Sequence, residues 1–259
     1  MKAIILAAGQ GTRLKKYTEN LPKGMLSFDG KTIIERQIEM YRKCGIDNII
    51  IVRGFAADKI KYDGITYYDN KDYASTNMVA SFLCASDEFD EDVLVSYSDV
   101  LFCENMLRTM IKAEGEFVCA VDTNWQSYWM KRYGKVDFDT ESMKIGEGEN
   151  ITSLGLSDPP IEEIDARYVG LLKFSRTGLR KIVSIWERDY EKYKDRGWQQ
   201  SGKKIPQAYM TDLLNAMIEE GNHVRAEKFE NGWIEFDTNE DYENACEWVE
   251  DGSIKELLL

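Results

Sequence analysis

Short apolar stretches alternate with amphipathic segments along most of the chain. Apolar stretches at 2–6, 48–52, 65–68, 92–97 and 117–122 have the length of buried strands, and helix-like segments stand between several of them. This alternation is typical of a mainly parallel sheet covered by helices. We therefore predict an α/β fold with a mixed, mainly parallel, Rossmann-like central sheet flanked by helices.

The clearest helix signal lies at Thr32. Thr32 and Glu35 have the spacing of a capping box, in which each side chain accepts a hydrogen bond from the main chain of the other residue. Gly45 is suited to end this helix, because glycine tolerates the left-handed conformation that follows many helices. Further helices are predicted at 77–88, 177–194, 206–220 and 239–250, and further strands at 166–174, 224–229 and 233–236.

The pattern changes between about 123 and 165. Segments at 134–138, 143–145 and 150–154 are short and separated by turns, as in a β-meander. We interpret 123–165 as a small β-rich insertion within a single domain that spans 1–259.

Composition excludes several classes of protein. The 33 Lys and Arg residues and 46 Asp and Glu residues give a net charge of −13, which disfavours a nucleic-acid or anionic-membrane partner. No apolar run reaches the length of about 18 residues that a spanning helix needs, so a cytoplasmic protein is expected. The five cysteines lack metal-site spacing, and the only histidine, His223, follows a predicted helix. A Ser-His-Asp type of hydrolase is therefore disfavoured.

The first apolar stretch leads into LAAGQGTRL, residues 6–14, and then into Pro22-Lys23. Gly9 and Gly11 would allow main-chain N–H groups to face phosphate oxygens, while Arg13 and Lys23 add positive charge. The two common phosphate motifs do not fit, because Leu14 stands where a dinucleotide fingerprint needs its third glycine and no Gly-Lys-Ser/Thr follows. Taken alone, the glycines would also suit a tight turn without a ligand.

Acidic residues follow two of the predicted strands. Ser98 and Asp99 end the strand at 92–97, at the edge where ligands gather in open α/β sheets, and Asp237 follows 233–236. LAAGQGTRL with Pro-Lys, the strand that ends at Asp99, and WIEFDT at 233–238 together resemble the signature of nucleotidyltransferases with a glycosyltransferase-A-like fold. The resemblance spans the whole chain. NKDYASTNM at 70–78 is most similar to cytidylyltransferases that act on phosphocholine, aminoethylphosphonate and related acceptors.

The resemblance implies a Mg²⁺-dependent transfer of CMP from CTP to a small phosphorylated or phosphonate acceptor, with release of pyrophosphate. An anionic acceptor oxygen needs no general base, so alignment and charge neutralisation would carry the reaction. By the same resemblance, Asp99 and Asp237 hold Mg²⁺, Arg13 binds the β- and γ-phosphates, and Lys23 meets charge that shifts during transfer. These four are the predicted catalytic residues.

The predicted nucleotide site extends beyond the glycine-containing loop. Thr76 and Asn77 begin the predicted helix at 77–88, where they would contact the base or ribose or would simply cap the helix. The predicted nucleotide-binding residues are Leu6, Ala7, Ala8, Gly9, Gly11, Thr12, Arg13, Lys23, Thr76, Asn77 and Ser98.

The acceptor site is predicted mainly from aromatic residues, because ring faces can hold a quaternary ammonium group. Trp125, Tyr128 and Trp129 lie within five mostly polar positions, which we interpret as a binding loop of an insertion that carries the acceptor. Arg167 and Asp165 offer both charges for a zwitterionic acceptor. The predicted acceptor-binding residues are Trp125, Tyr128, Trp129, Arg167, Tyr168, Gly170, Tyr209 and Trp233, with core packing as the alternative for each ring.

Two other functions stay open at the level of sequence. One is a sugar-1-phosphate nucleotidyltransferase that uses UTP or dTTP, and the other is a non-catalytic nucleotide-sensing module on the same fold. The expected partners are CTP and a small phosphorylated acceptor of the phosphocholine, phosphoethanolamine, aminoethylphosphonate or phospho-amino-acid type. A monomer or homodimer is expected.

Overall fold

A mixed sheet of seven strands forms the centre of the molecule. The computed structural model describes residues 1–258. Within them the strands are β1 (Lys2–Ala7), β2 (Ser27–Phe28), β3 (Lys31–Thr32), β4 (Ile49–Arg53), β5 (Ile65–Asp69), β6 (Val93–Tyr97), β7 (Val100–Phe102), β8 (Phe117–Asp122), β9 (Glu141–Ile145), β10 (Ile151–Ser157), β11 (Arg167–Phe174), β12 (Val224–Phe229) and β13 (Trp233–Glu235). The α-helices are α1 (Lys15–Thr18), α2 (Ile33–Lys43), α3 (Met78–Leu83), α4 (Glu104–Lys112), α5 (Trp125–Tyr133), α6 (Arg176–Tyr193), α7 (Met210–Glu219), α8 (Asn239–Glu250) and α9 (Lys255–Leu258).

The central sheet has the strand order β12-β8-β11-β6-β1-β4-β5. Neighbouring strands run parallel except at β11, which is antiparallel to both β6 and β8. This confirms the predicted mixed, mainly parallel α/β sheet. The helices and strands that flank the sheet bury both of its faces.

Strand β1 illustrates how the sequence produces two apolar layers. Ala3 and Ile5 point into one core cluster, while Ile4 and Leu6 point into the other. All six residues of β1 are buried, as expected for a central parallel strand covered on both faces. Helices α2, α4 and α5 contribute to the first cluster, and α3, α6 and α7 contribute to the second.

Helix α2 has the predicted ends. The Thr32 hydroxyl accepts a hydrogen bond from the Glu35 N–H at 3.1 Å, and the Glu35 carboxylate accepts one from the Thr32 N–H at 3.4 Å. Gly45 follows with φ +86°, a conformation that few other residues adopt at low cost. The capping box and the glycine stop are therefore confirmed.

The segment 123–165 differs in part from the prediction. Its later half forms the antiparallel hairpin β9–β10, as the meander-like pattern indicated. Near its start it forms helix α5 rather than a loop, and 134–138 forms bends instead of a strand. No helix in residues 1–258 is long and apolar enough to cross a membrane.

Candidate active site

The candidate site lies at the carboxyl ends of β1 and β6, which are neighbours in the sheet. A cavity of about 180 Å³ opens between the loop after β1, the turn at Lys23 and the start of α3. Its lining residues are Leu6, Ala8, Gly9, Gly11, Lys23, Tyr73, Thr76, Asn77, Met78, Ser81, Tyr97, Ser98 and Asp99.

The glycine loop packs against Lys23. Gly11 has φ +66°, and a Cβ atom there would lie 3.2 Å from the Cβ of Lys23, so glycine suits both the conformation and the close approach. A Cβ atom at Gly9 would meet no atom within 4 Å. The loop is thus tight where it touches Lys23 and open where it faces the cavity.

Lys23 joins two aspartates that are far apart in the sequence. Its Nζ atom lies 2.7 Å from Asp99 Oδ2 and 2.7 Å from Asp237 Oδ1. Strand β7 pairs with β13, and the Phe236 N–H donates to the Asp99 carbonyl at 2.9 Å, which brings the two aspartates to the same place. Lys23 therefore holds Asp99 and Asp237 together by direct contacts, which brings three of the predicted catalytic residues to one point.

The charges in this cluster stabilise one another. Burial alone would lower the pKa of Lys23, but the attraction of Asp99 and Asp237 outweighs it and raises that pKa. Burial opposes ionisation of Asp237, yet Lys23 and Arg13 outweigh it and lower the pKa of Asp237 to about 2. The cluster therefore keeps an ammonium group and a carboxylate ionised at neutral pH.

Arg13 completes the cluster from the solvent side. Its Nη2 atom lies 2.9 Å from Asp237 Oδ2, and its Nη1 atom lies 3.3 Å from Asp139 Oδ2. The Arg13 side chain is 55% exposed. Because an exposed guanidinium exchanges carboxylate partners easily, phosphate oxygens can compete for it.

Arg132 supports the turn that carries Asp237. Buried in α5, it donates to Asp241 Oδ1 at 2.6 Å and Oδ2 at 2.7 Å, and it also contacts Glu235. Asp241 Oδ2 in turn accepts the N–H groups of Asp237 at 3.1 Å and Thr238 at 2.8 Å. This network fixes the main chain on which the Asp237 carboxylate depends.

The fit of a magnesium ion depends on Asp99 and Asp237. No group of three or more His, Cys, Asp or Glu side chains in residues 1–258 is placed to hold a metal. The two carboxylates nevertheless direct oxygens at a single cation, the Lys23 ammonium. Two carboxylate oxygens suit a hard cation that takes its remaining ligands from phosphate and water, as Mg²⁺ commonly does.

The predicted nucleotide-binding residues occupy two kinds of position. Eight of them line the cavity, whereas Ala7, Thr12 and Arg13 lie outside its lining. Asn77 also caps α3 by accepting the Met78 N–H at 2.9 Å, and the Thr76 hydroxyl accepts a hydrogen bond from the Asn70 side chain at 2.9 Å. Capping and cavity lining, posed as alternatives above, therefore occur together. The lining residues that sequence reasoning missed are Tyr73, Met78, Ser81 and Tyr97.

The interpretation of Trp125, Tyr128 and Trp129 as a binding loop is wrong. All three lie in α5 with at most 2% exposure, packed into the core. Trp129 donates to the Phe138 carbonyl at 2.8 Å, and the Tyr128 hydroxyl accepts the Glu235 N–H at 3.0 Å. The rings thus follow the core-packing alternative.

Trp233 is also a core residue. It is 1% exposed, and its indole N–H donates to Asp122 Oδ2 at 2.9 Å. Asp122 further accepts the N–H groups of Asn124 and Asn231 through its other oxygen. A buried carboxylate needs hydrogen-bond donors, and Asp122 receives three of them here. Because Asp122 ends β8, its hydrogen bond with Trp233 connects β13 to that strand.

The other predicted acceptor residues are dispersed. The Tyr168 hydroxyl lies 2.8 Å from that of Tyr97, and Tyr209 lies at the start of α7 with Lys203 over its ring. Arg167 lies in β11 above the ring of Trp129. Asp165 pairs with Lys144 and accepts the Ile145 N–H, which ties it to the hairpin.

Gly170 has a packing role that makes a testable prediction. It has φ +80° at the irregular part of β11, and a Cβ atom there would lie 2.8 Å from the Tyr97 ring. We expect Gly170→Ala to lower the free energy of unfolding by about 1–3 kcal/mol through strain and overpacking. Thermal or urea unfolding measures this. Gly9→Ala, which meets no atom within 4 Å, should change stability by about 0.5 kcal/mol or less; equal losses in both variants would contradict the packing argument.

Comparisons with known proteins agree on one family. Residues 3–137 match the MobA-like NTP transferase domain. The CTP:phosphoglutamine cytidylyltransferase of Campylobacter jejuni is 35% identical over 95% of this chain and its own whole length. The choline-phosphate cytidylyltransferase of Streptococcus pneumoniae is 30% identical over 63% of this chain and 72% of its own length.

Solved structures show the same fold. The CTP:phosphocholine cytidylyltransferase of Streptococcus pneumoniae superimposes with a TM-score of 0.74 at 25% identity, covering 96% of this chain and 98% of that one. The inositol-1-phosphate CTP transferase of T. maritima matches with a TM-score of 0.69 at 21% identity, covering 94% of each chain. The predicted fold class is confirmed by these nucleotidyltransferase neighbours.

Proposed function

The chain belongs to the family of MobA-like NTP transferase domains, and we propose on that premise that it transfers CMP from CTP to a small phosphorylated acceptor and releases pyrophosphate. One observation carries the proposal. In a chain similar over almost its full length to a CTP-using transferase, the glycine loop, Lys23 and Asp99 line one open cleft, and Asp237 contacts Lys23 beside it. This is the arrangement that alignment and charge neutralisation of a triphosphate require.

The residues of the cleft have separable tasks. The loop at 6–14 would lie along the nucleotide, with room for phosphates in front of Gly9. Arg13 would exchange its carboxylate partners for the outer phosphates, and Lys23 would neutralise charge that develops as the bond to pyrophosphate breaks. The acceptor oxygen attacks as an anion, so none of these residues has to remove a proton.

We also propose that the enzyme requires Mg²⁺. Asp99 and Asp237 would hold the ion, and when bound it would supply charge neutralisation at the phosphates. The phosphorylated acceptor is proposed to be of the phosphoglutamine or phosphocholine kind, the acceptors that the names of the relatives give. A cytoplasmic location and a monomeric or dimeric state stay predictions.

Pyrophosphate release tests the activity directly. The full chain is incubated with Mg²⁺, one nucleotide of the set CTP, UTP, dTTP and ATP, and one acceptor of the set phosphoglutamine, phosphocholine, phosphoethanolamine, aminoethylphosphonate and glucose-1-phosphate. CTP with a phosphorylated amino acid or amino alcohol should give the highest rate. Preference for UTP or dTTP with glucose-1-phosphate would support the sugar-nucleotide alternative instead.

Thermal stability provides an independent measure of nucleotide choice. A ligand that binds only the folded state at about 100 times its dissociation constant adds roughly 2.7 kcal/mol to the unfolding free energy. We therefore expect CTP with Mg²⁺ to raise the melting temperature more than UTP, dTTP or ATP at the same concentration. Equal shifts for all four nucleotides would contradict the choice of CTP.

A further inference from the structure

Arg167 is a buried cation that has no carboxylate partner among residues 1–258. The residue is 8% exposed, and its guanidinium lies 4.3 Å from the centre of the Trp129 ring. Its Nη atoms make only long hydrogen bonds, at 3.5 Å to the Glu141 carbonyl and 3.3 Å to the Asp139 carbonyl. The Nε atom is buried without any hydrogen-bond partner. Most of the five donor positions of this side chain are therefore unused.

Nearby Arg132 shows how the same fold neutralises a buried arginine. Arg132 is 4% exposed and binds Asp241 through two nitrogens and Glu235 through a third. A buried charge without such partners is costly, and burial lowers the pKa of Arg167 although the charge of Glu141 opposes the effect. The contrast indicates that Arg167 has hydrogen-bond donors left for an anion, because no carboxylate of residues 1–258 contacts its guanidinium.

Glu141 offers the complementary charge beside Arg167. It begins β9, its side chain is partly buried, and no hydrogen bond or ion pair joins its carboxylate to another residue of the described chain. Burial raises the pKa of Glu141, and the charge of Arg167 is the main opposing influence. The main-chain carbonyl of Glu141 accepts the 3.5 Å hydrogen bond from Arg167, so the two residues are neighbours in the structure.

Contacts connect this pair of charges to the catalytic cluster. Asp139 accepts from Arg167 through its main-chain carbonyl and pairs with Arg13 through its side chain. Arg13 in turn contacts Asp237, which contacts Lys23. Asp139 therefore links Arg167 directly to Arg13, the outermost residue of the catalytic cluster.

We propose that Arg167 and Glu141 bind the α-carboxylate and the α-ammonium group of a phosphorylated amino acid, the acceptor of the reaction. Arginine pairs with carboxylates through two parallel hydrogen bonds, and its unused donors permit that geometry here. A quaternary ammonium acceptor is recognised by several aromatic faces, but Trp125, Tyr128, Trp129 and Trp233 are packed in the core, which leaves Tyr73 and Tyr97 as the rings that line the cavity. This inference rests on the proposed function and specifies its acceptor.

The experiment compares acceptors that differ by one group. The full chain is assayed with CTP, Mg²⁺ and either phosphoglutamine or phosphorylated 4-aminobutanamide, which lacks only the α-carboxylate. We expect kcat/KM to be about 10²-fold higher for phosphoglutamine, the effect of an unpaired charged group at a specific site. The N-acetyl derivative of phosphoglutamine, whose nitrogen carries no charge, should be disfavoured similarly.

Variants assign the preference to the two residues. Arg167→Gln should raise the KM for phosphoglutamine by about 10²-fold and abolish the discrimination against the decarboxylated analogue, while the KM for CTP changes little. Glu141→Gln should weaken discrimination against the N-acetyl derivative in the same way. Lys144→Gln, an exposed substitution on the same hairpin, is the matched control and should change neither preference. If Arg167→Gln does not fold, Arg167→Lys replaces it in the assay, because lysine keeps the positive charge but lacks the two parallel N–H donors of the guanidinium.

The outcomes separate the inference from the function on which it rests. Efficient CTP-dependent pyrophosphate release with phosphocholine, and equal kcat/KM for phosphoglutamine and its decarboxylated analogue, would leave the cytidylyltransferase intact and overturn the amino-acid site. Retained discrimination in both Arg167 variants would also overturn it. Calorimetry with phosphoglutamine gives a readout without turnover: wild-type binding that Arg167→Gln weakens by about 10²-fold would support the site even if CTP proved not to be the nucleotide, and unchanged binding would reject it.

Discussion

Replacing Lys23 by alanine is expected to lower kcat by about 10²-fold or more, the scale seen when one charge-stabilising donor is removed from a reacting centre. The Lys23 ammonium lies 2.7 Å from Asp99 and 2.7 Å from Asp237, at the point where the loop at 6–14 meets the cavity. A charge in this position acts mainly on the transition state, because the charge on the phosphates changes during transfer. Steady-state kinetics with CTP as the varied substrate measures the effect.

Arg13→Ala is expected to affect a different kinetic constant from Lys23→Ala. Arg13 is exposed and binds carboxylates that phosphate can replace, so its loss should chiefly raise the KM for CTP. The control is Lys16→Ala, which removes an exposed lysine that pairs with Glu243 outside the cavity and should leave both constants near their original values. Circular dichroism confirms that the variants are folded. If kcat and KM were then unchanged in both the Lys23 and the Arg13 variants, LAAGQGTRL and Pro22-Lys23 would have only a structural role.

Sequence reasoning located the elements of the fold where patterning and local signals agree. Strand β1, the capped helix α2 and strand β12 lie where alternation and end signals placed them, within one or two residues. Each of these elements depends on contacts between residues close in sequence, or on the regular spacing of apolar residues that burial requires in a strand or helix. The joining of Asp99 to Asp237 was expected only from family resemblance, because it depends on the pairing of β7 with β13.

The prediction failed at α5 although the sequence contained the signal. Trp125, Tyr128, Trp129 and Arg132 stand at i, i+3, i+4 and i+7, the spacing of one helical face, and Gly134 ends the helix with φ +69°. The polar residues between the rings were interpreted as a loop, whereas they form the exposed face of an amphipathic helix. The large rings therefore fill the core, where aromatic side chains bury the most surface.

The charges around Arg167 could not be predicted from sequence. Arg167 lies in β11, Glu141 in β9 and Arg132 in α5, and only the packing of the hairpin and helix against the sheet brings them together. The sequence analysis offered Arg167 and Asp165 together to a zwitterionic acceptor, whereas in the fold Asp165 binds Lys144 and the Ile145 N–H. Sequence proximity was a poor guide here, because Asp165 lies in the bend before β11, where the β9–β10 hairpin supplies its partners.

Asp237→Asn is expected to lower kcat by about 10²-fold or more while the protein stays folded. The substitution keeps the shape of the side chain but removes a carboxylate that lies 2.7 Å from Lys23 and 2.9 Å from Arg13. With it the site loses the charge that orients both cations and one of the two carboxylates proposed to hold Mg²⁺. Asp99→Asn should cause a loss of the same order. Turnover is measured over a range of Mg²⁺ concentrations, and melting temperature confirms folding.

Asp69→Asn is the matched control for this prediction. Asp69 also ends a parallel strand and also pairs with an arginine, Arg53, at 2.8 Å, but it lies on the edge strand β5 rather than at the cavity. If a carboxylate at a strand end mattered only for local structure, the asparagine variants at 69 and 237 would behave alike. Near-normal turnover of Asp237→Asn at limiting Mg²⁺ would show that Asp237 is not a ligand. A loss confined to the variants at 99 and 237, with Mg²⁺ affinity in the presence of CTP reduced in both, is the result that the geometry predicts, because these two carboxylates converge on Lys23 beside the cavity and Asp69 does not.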